Sequence, residues 1–254
     1  MTFNLPKEKT EIMIVKQNET GWEVIYHRAH ALLAAQLAGQ WKRSKSPIRL
    51  YETIAAISHH DDLEREWEGN ELTPAGTPLD FTLDKSTSIK KLRELTTNAR
   101  YRGRWVALLI SRHVSRLNEA KRGESKEMDS FLDEQLEHQQ QWQKELNLSQ
   151  EEVDSAYAFM QWCDRLSLIL CQHEVPADQR ALEISKGPDG KRYDIVELSD
   201  GKLTVKPWPF EDEKFTVNVE ASYLTQITFK DDAELTEALK TAKLDLLEWT
   251  FAKE

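Results

Sequence analysis

The sequence predicts a mainly α chain: a helical bundle followed by a C-terminal antiparallel β-rich section, α+β in sum. Three observations carry this. Apolar residues recur at helical spacing in five long segments before residue 175. After it, turn signals (GPDG at 187–190, SDG at 199–201) separate short alternating segments. Eight Trp, eight Phe and six Tyr supply enough large apolar groups for a core and argue against disorder.

A short strand is expected over 11–16 (EIMIVK), free to join the C-terminal sheet. A buried helix is read from Gly21 to Trp41, with Tyr26, His30, Leu33, Ala34, Leu37 and Trp41 on one face. SKSP at 44–47 breaks it, and a second helix runs from Ile48 to Asp62 with Leu50, Ile54 and Ile57 inward. The loop from Glu68 to Phe81 is long for an internal connection, which marks it as a candidate functional loop. A third helix is expected over Ser88–Glu119, with Trp105, Val106, Leu109, Ile110, His113 and Leu117 on its inner side. A more polar fourth covers Lys126–Leu146. Ser149 and Glu152 form a capping-box pattern that opens a fifth helix, Gln150–Cys171, whose inner face carries Val153, Tyr157, Met160, Asp164, Ser167, Leu168 and Cys171. Beyond Val175, YDIVEL, KLTVKPW, KFTVNVEASYL and LDLLEWTF read as strands, with DDAELTEALKTA as an intervening helix. The expected organisation is a helical core over 1–175 and a β-rich section over 176–254 packed on it.

A formal net charge of −10 disfavours a protein whose main task is coating nucleic acid, while leaving room for a small anionic substrate at local arginines. No apolar run is long enough to span a bilayer and no secretory signal is evident at the N-terminus, so a cytoplasmic protein is expected. Cys163 and Cys171 fall eight positions apart on one helix, about 12 Å, too far for a disulfide, and read as core. Nothing in the sequence fixes an oligomeric state; a homo-oligomer stays open. Glycine-rich phosphate loops, CxxC pairs, GxSxG elbows and HExxH helices are absent.

Chemistry concentrates at His30, His60, Asp61, His113 and Asp164, placed on or at the ends of apolar faces of four expected helices. A buried carboxylate such as Asp164 requires a partner or a metal. Imidazoles and carboxylates together suit a divalent transition metal: Mn, Fe, Ni, Co or Zn. Against this stands the plain reading, in which each His is a hydrogen-bonded core residue and Asp164 pairs with Arg112 or Arg165. His113 is open between ligand, substrate-binding donor and packed residue. His27 can share the face of His30 and is expected in a supporting or a surface role rather than as a ligand. His59 is expected to flank it, and His138 and His173 to be solvated. Glu64, Glu66 and Trp67 follow the His-Asp pair, with Glu66 a candidate general acid or base. Arg100, Arg102, Arg104 and Arg112 bracket Trp105 and are candidate phosphate contacts.

The order His, then His-Asp, then a distant Asp on successive helices resembles the HD superfamily of metal-dependent phosphohydrolases. AAISHHDD at 55–62 is similar to its His-Asp segment and CDRLSL at 163–168 to the segment of its last aspartate; His113 matches the extra histidine of some members. YHRAHALLAAQLAGQW, HDDLEREW, ALLISRHVSRL, QWCDRLSLILC and PWPF are more closely similar to the recurring segments of a bacterial domain-of-unknown-function family. The resemblance implies an HD-like bundle holding one or two metal ions through His30, His60, Asp61 and Asp164. Asp61, His113 and Arg112 are then the catalytic candidates, acting on a phosphoester or nucleotide through a metal-activated water. Leu63 stands where many HD enzymes have a small residue. The alternatives are a non-catalytic HD-fold binding or sensing module and an HD-type oxygenase.

Overall fold

The structure is a computed structural model and describes residues 13–62, 71–83 and 88–254. It corrects the expected fold class. The chain is α+β, with, among the described residues, seven helices set against a curled seven-stranded mixed sheet that forms a half-barrel, not a mainly α bundle with a β-rich tail. The strands are β1 (Met13–Gln17), β2 (Trp22–Tyr26), β3 (Leu182–Lys186), β4 (Arg192–Glu197), β5 (Leu203–Lys206), β6 (Lys214–Leu224) and β7 (Lys243–Ala252). Their order across the sheet is β1-β2-β6-β7-β5-β4-β3. All neighbours are antiparallel except β5 and β7, which run parallel, so the expectation of a purely antiparallel sheet also fails.

The largest departure lies at residues 22–26. The sequence places WEVIY at the start of the first helix, yet it is a strand paired with β1 on one side and β6 on the other. Glu23, Val24 and Ile25 are all buried, so both faces are covered and the period-2 signal of a half-exposed strand is missing. The β-branched and aromatic content fits a pleated, covered surface. Gly21 precedes it where a Cβ would stand 1.9 Å from the Leu224 carbonyl oxygen; only glycine permits that approach. The N-terminal hairpin thus joins the C-terminal strands in one sheet.

The helices are α1 (His27–Gly39), α2 (Leu50–Ile57), α3 (Ile89–Ala99), α4 (Arg104–Asn118), α5 (Lys126–Glu145), α6 (Gln150–Cys171) and α7 (Asp232–Thr241). The expected single helix over 88–119 is two, because Gly103 takes φ 113° and ψ 159°, a region closed to other residues, and turns the chain. The capping box is present: Ser149 Oγ accepts from the Glu152 amide, and Glu152 accepts from the Ser149 amide at 2.8 Å. Among the described residues no helix is long and apolar enough to cross a membrane.

Among the described residues the larger of two apolar clusters runs from Ile14 to Phe251, and a smaller one gathers Met13, Val24 and Leu224 with Phe229, Leu235 and Leu239. α1 packs on α6 and on β6, and α6 reaches β3. Its densest part is aromatic. Trp41 lies 4.8 Å from Trp162, 5.1 Å from Phe159 and 5.5 Å from Tyr193 between ring centroids, mostly edge to face. The segment 71–83 turns at Gly76, whose carbonyl accepts from the Phe229 amide, and Asp80 Oδ2 accepts from the amide of Val15 on edge strand β1. That docking carries Phe81 to the start of α1.

Candidate metal centre

β2 passes directly into α1, so His27 is the first helical residue and His30 lies one turn on, facing the same way. The His-Asp pair is not on a helix, as expected, but in the turn after α2, which stops at Ile57. Side chains take over the helix-end carbonyls there: Ser58 Oγ donates to Ala55 O at 3.0 Å, and His60 Nδ1 lies 2.6 Å from Ile57 O. α4 supplies His113, and α6 supplies Asp164 with Ser167 three residues on.

These elements bring His30, His60, Asp61 and Asp164 together. His30 Nε2 is 2.7 Å from Asp61 Oδ2, and His60 Nε2 is 3.4 Å from the same oxygen and 3.2 Å from Asp164 Oδ1. The outer nitrogens decide the tautomers. His60 Nδ1 faces a carbonyl, which only accepts, so it carries a proton. Ser167 Oγ gives its own proton to Asp164 O at 2.8 Å and therefore accepts from His30 Nδ1 at 3.0 Å. In the neutral form of either imidazole the lone pair is therefore on Nε2, the nitrogen available to a metal; in the metal-free chain the same nitrogens hydrogen-bond the carboxylates, His30 to Asp61 and His60 to Asp164. Partners that fix the tautomer and orientation in this way are the usual companions of metal-ligating histidines.

The charges are strongly shifted in the metal-free chain. Burial opposes a charge on His60, but the carboxylates of Asp61 and Asp164 and the hydrogen bond to Asp164 outweigh it and raise its pKa to about 10. Burial likewise opposes ionisation of Asp61 and Asp164, and His60 in turn holds both below the usual carboxylate range. For His27 and His113 burial prevails and lowers each to about 4. His113 joins the cluster, its ring 5.0 Å from that of His60, and its buried Nδ1 has no hydrogen-bond partner.

Arg112 is not brought to the cluster. It pairs with Asp154, lies 5.4 Å over the Tyr157 ring, and lines a separate cleft of about 620 Å³ with Arg116 and Gln139. Arg100 lies over Trp142 and Arg104 pairs with Glu145. Arg102 is 3.7 Å from Asp62, the residue after the His-Asp pair. Sequence reasoning passed over Arg28, which meets the other Asp62 oxygen at 2.7 Å, although its place between His27 and His30 was a signal. It also gave Ser167 no role; that bond depends on tertiary placement alone. His59 flanks the site, His138 stacks on Trp142, and His173 is exposed, as expected, with its ring hydrogen-bonded to Glu23 at 2.6 Å. Leu63, Glu64, Glu66 and Trp67 lie outside the described residues.

Fold and site together define an α+β protein whose buried His/Asp cluster has the geometry to hold a metal ion. The chain belongs to the family described as protein of unknown function (DUF3891), whose model matches residues 13–226. No curated protein and no solved structure matches it.

Proposed function

We propose that this chain is a metal-dependent hydrolase of a phosphoester or nucleotide, related to the HD superfamily, with His30, His60, Asp61 and Asp164 as ligands of a divalent transition metal. One observation carries the reading: the outer nitrogens of His30 and His60 are committed to Ser167 and Ile57, which leaves both Nε2 atoms, beside two carboxylates, as the nitrogens a metal ion can take. Two neutral imidazoles and two carboxylates suit Mn, Fe, Ni, Co or Zn. The uncompensated nitrogen at His113 adds to the fit, because a buried polar atom without a partner is costly.

A bound ion would supply a water of lowered pKa as nucleophile. Asp61, flanked by three histidines, is placed to orient that water. His113 stands on the His60 side, where a neutral imidazole N–H can donate to an anionic substrate. Arg28 and Arg102, gathered by Asp62, are better placed than Arg112 to receive an anionic group.

The test is elemental analysis of purified protein beside Asp61→Ala and Asp164→Ala, followed by a phosphoester and nucleotide screen of the metal-loaded protein, with oxygen uptake recorded. The expected result is bound transition metal, lost in both variants, and phosphate release. Absence of metal even after reconstitution defeats the centre. Metal with no hydrolysis defeats the hydrolase and favours the binding module, or the oxygenase if oxygen is consumed.

A further inference from the structure

We propose that the cleft between α4, α5 and α6 binds a small hydroxylated carboxylic acid, such as a sugar acid, with Arg116 and Arg112 as its anion contacts. This site is separate from the metal centre and does not depend on that reading.

The cleft, about 620 Å³, falls in the range of about 300–1,000 Å³ usual for small-molecule sites. Buried Leu108 and Val153 give it apolar lining, while Arg112, Ser115, Arg116 and Gln139 line it with polar groups. Arg116 is exposed and forms no ion pair among the described residues. The acids nearby are already taken, Asp154 by Arg112 and Glu119 by Arg122. One positive charge is left uncompensated. That balance suits a carboxylate monoanion better than a phosphate dianion, which Glu119 on the same wall would repel.

A buried group behind the wall also points to a ligand. Tyr157 follows Val153 by one turn of α6, with the Arg112 guanidinium 5.4 Å over its ring. It is 3% exposed, yet its hydroxyl has no hydrogen-bond partner, which buried tyrosines usually find. Burial raises the pKa of that hydroxyl, and among the neighbouring charges Arg116 opposes the rise most. Arg112 can leave Asp154 without stranding a charge, because Asp154 is half-exposed and also accepts from the Gln150 amide at 2.9 Å. A ligand carboxylate that draws Arg112 toward Arg116 uncovers the Tyr157 ring and offers its hydroxyl an acceptor.

Gln139 argues for hydroxyls on the ligand. Its Nε2 donates to Ser111 Oγ and to Ser115 Oγ, each at 3.0 Å, which fixes the amide and leaves its carbonyl oxygen as an acceptor. A bare anion has no proton to give that oxygen, whereas a hydroxyl has.

The experiment is a titration of full-length protein carrying isotope-labelled arginine, followed by the side-chain Nε–Hε resonances, which single Arg→Lys variants assign. Gluconate and galacturonate are the probes, beside glycerol phosphate and glucose at constant ionic strength. The Arg112 and Arg116 signals should shift saturably with at least one sugar acid and stay still with glucose. Arg116→Gln should weaken that binding about tenfold or more. Tyr157→Phe should weaken it about 2- to 10-fold yet melt no lower than wild type, since it deletes an unpaired hydroxyl. Shifts confined to Arg28 and Arg102 place the anion at the metal centre and overturn the site, as does the absence of saturation with both acids. Glycerol phosphate binding more tightly than either sugar acid overturns the choice of a carboxylate. A Tyr157→Phe variant that keeps full affinity removes the hydroxyl from the site.

Discussion

Ser167→Ala isolates how the fold prepares the proposed metal centre, because it touches no proposed ligand atom. Ser167 Oγ passes its proton to Asp164 O and accepts from His30 Nδ1 at 3.0 Å. Alanine deletes that acceptor and leaves a fully buried imidazole N–H without a partner. An orphaned buried donor costs about 1–3 kcal/mol. The ring escapes part of the cost by holding its proton on Nε2, where it donates to Asp61, but that arrangement turns an N–H toward the proposed metal position and must be reversed for binding. The loss therefore appears in metal affinity, about 5- to 150-fold at RT of about 0.6 kcal/mol, a range that contains the roughly 10- to 100-fold effect typical of such partners. The assay is competition between apo-protein and a chelating dye, wild type against Ser167→Ala, with the thermal melt of the metal-free forms as control. The number of bound ions should not change. Equal affinities for the two proteins would refute the claim that Ser167 sets the His30 tautomer.

Three further outcomes are expected. In metal-free protein, His27 and His113 have folded pKa values near 4, below the ordinary 6.5, so their contribution is present above pH 6.5 and is lost as pH falls toward 4. His60 is raised to about 10, so its contribution is full below 6.5 and is lost as pH rises through 10; urea midpoints should peak near neutrality, and a flat profile would contradict the shifts. Trp41→Ala should cost about 3–5 kcal/mol by urea denaturation, since the ring fills the aromatic core. Trp41→Phe should cost far less, because it also deletes a buried indole N–H that has no partner. Gly103→Ala should destabilise by about 1–3 kcal/mol through backbone strain alone: the added Cβ meets no atom within 4 Å, but φ is +113°.

Local chemistry was legible wherever one helix or turn decides its own form. The capping box at Ser149 and Glu152, the bounds of α6, and strand β6 over 214–224 stand where the sequence places them. Helical periodicity also put His30, His113 and Asp164 on inward faces, and the structure buries both histidines with Asp164 beside His60. The two missed strands have different causes. β2 hides its alternation because both its faces are covered, and β3 is a short edge strand whose polar residues dilute the pattern.

Residue type and spacing by themselves determined that His30, His113 and Asp164 would face inward from separate helices, because a 3.6-residue period assigns each side chain to a face. Only the tertiary structure decided that Asp61 sits among three histidines, that Ser167 and Ile57 fix the tautomers, and that Arg112 turns away to Asp154. It likewise decided that the N-terminal hairpin completes a C-terminal sheet. Those relations join residues up to about two hundred positions apart, as in the pairing of Trp22 with Leu224. They follow from how whole elements pack, which no local window of sequence contains.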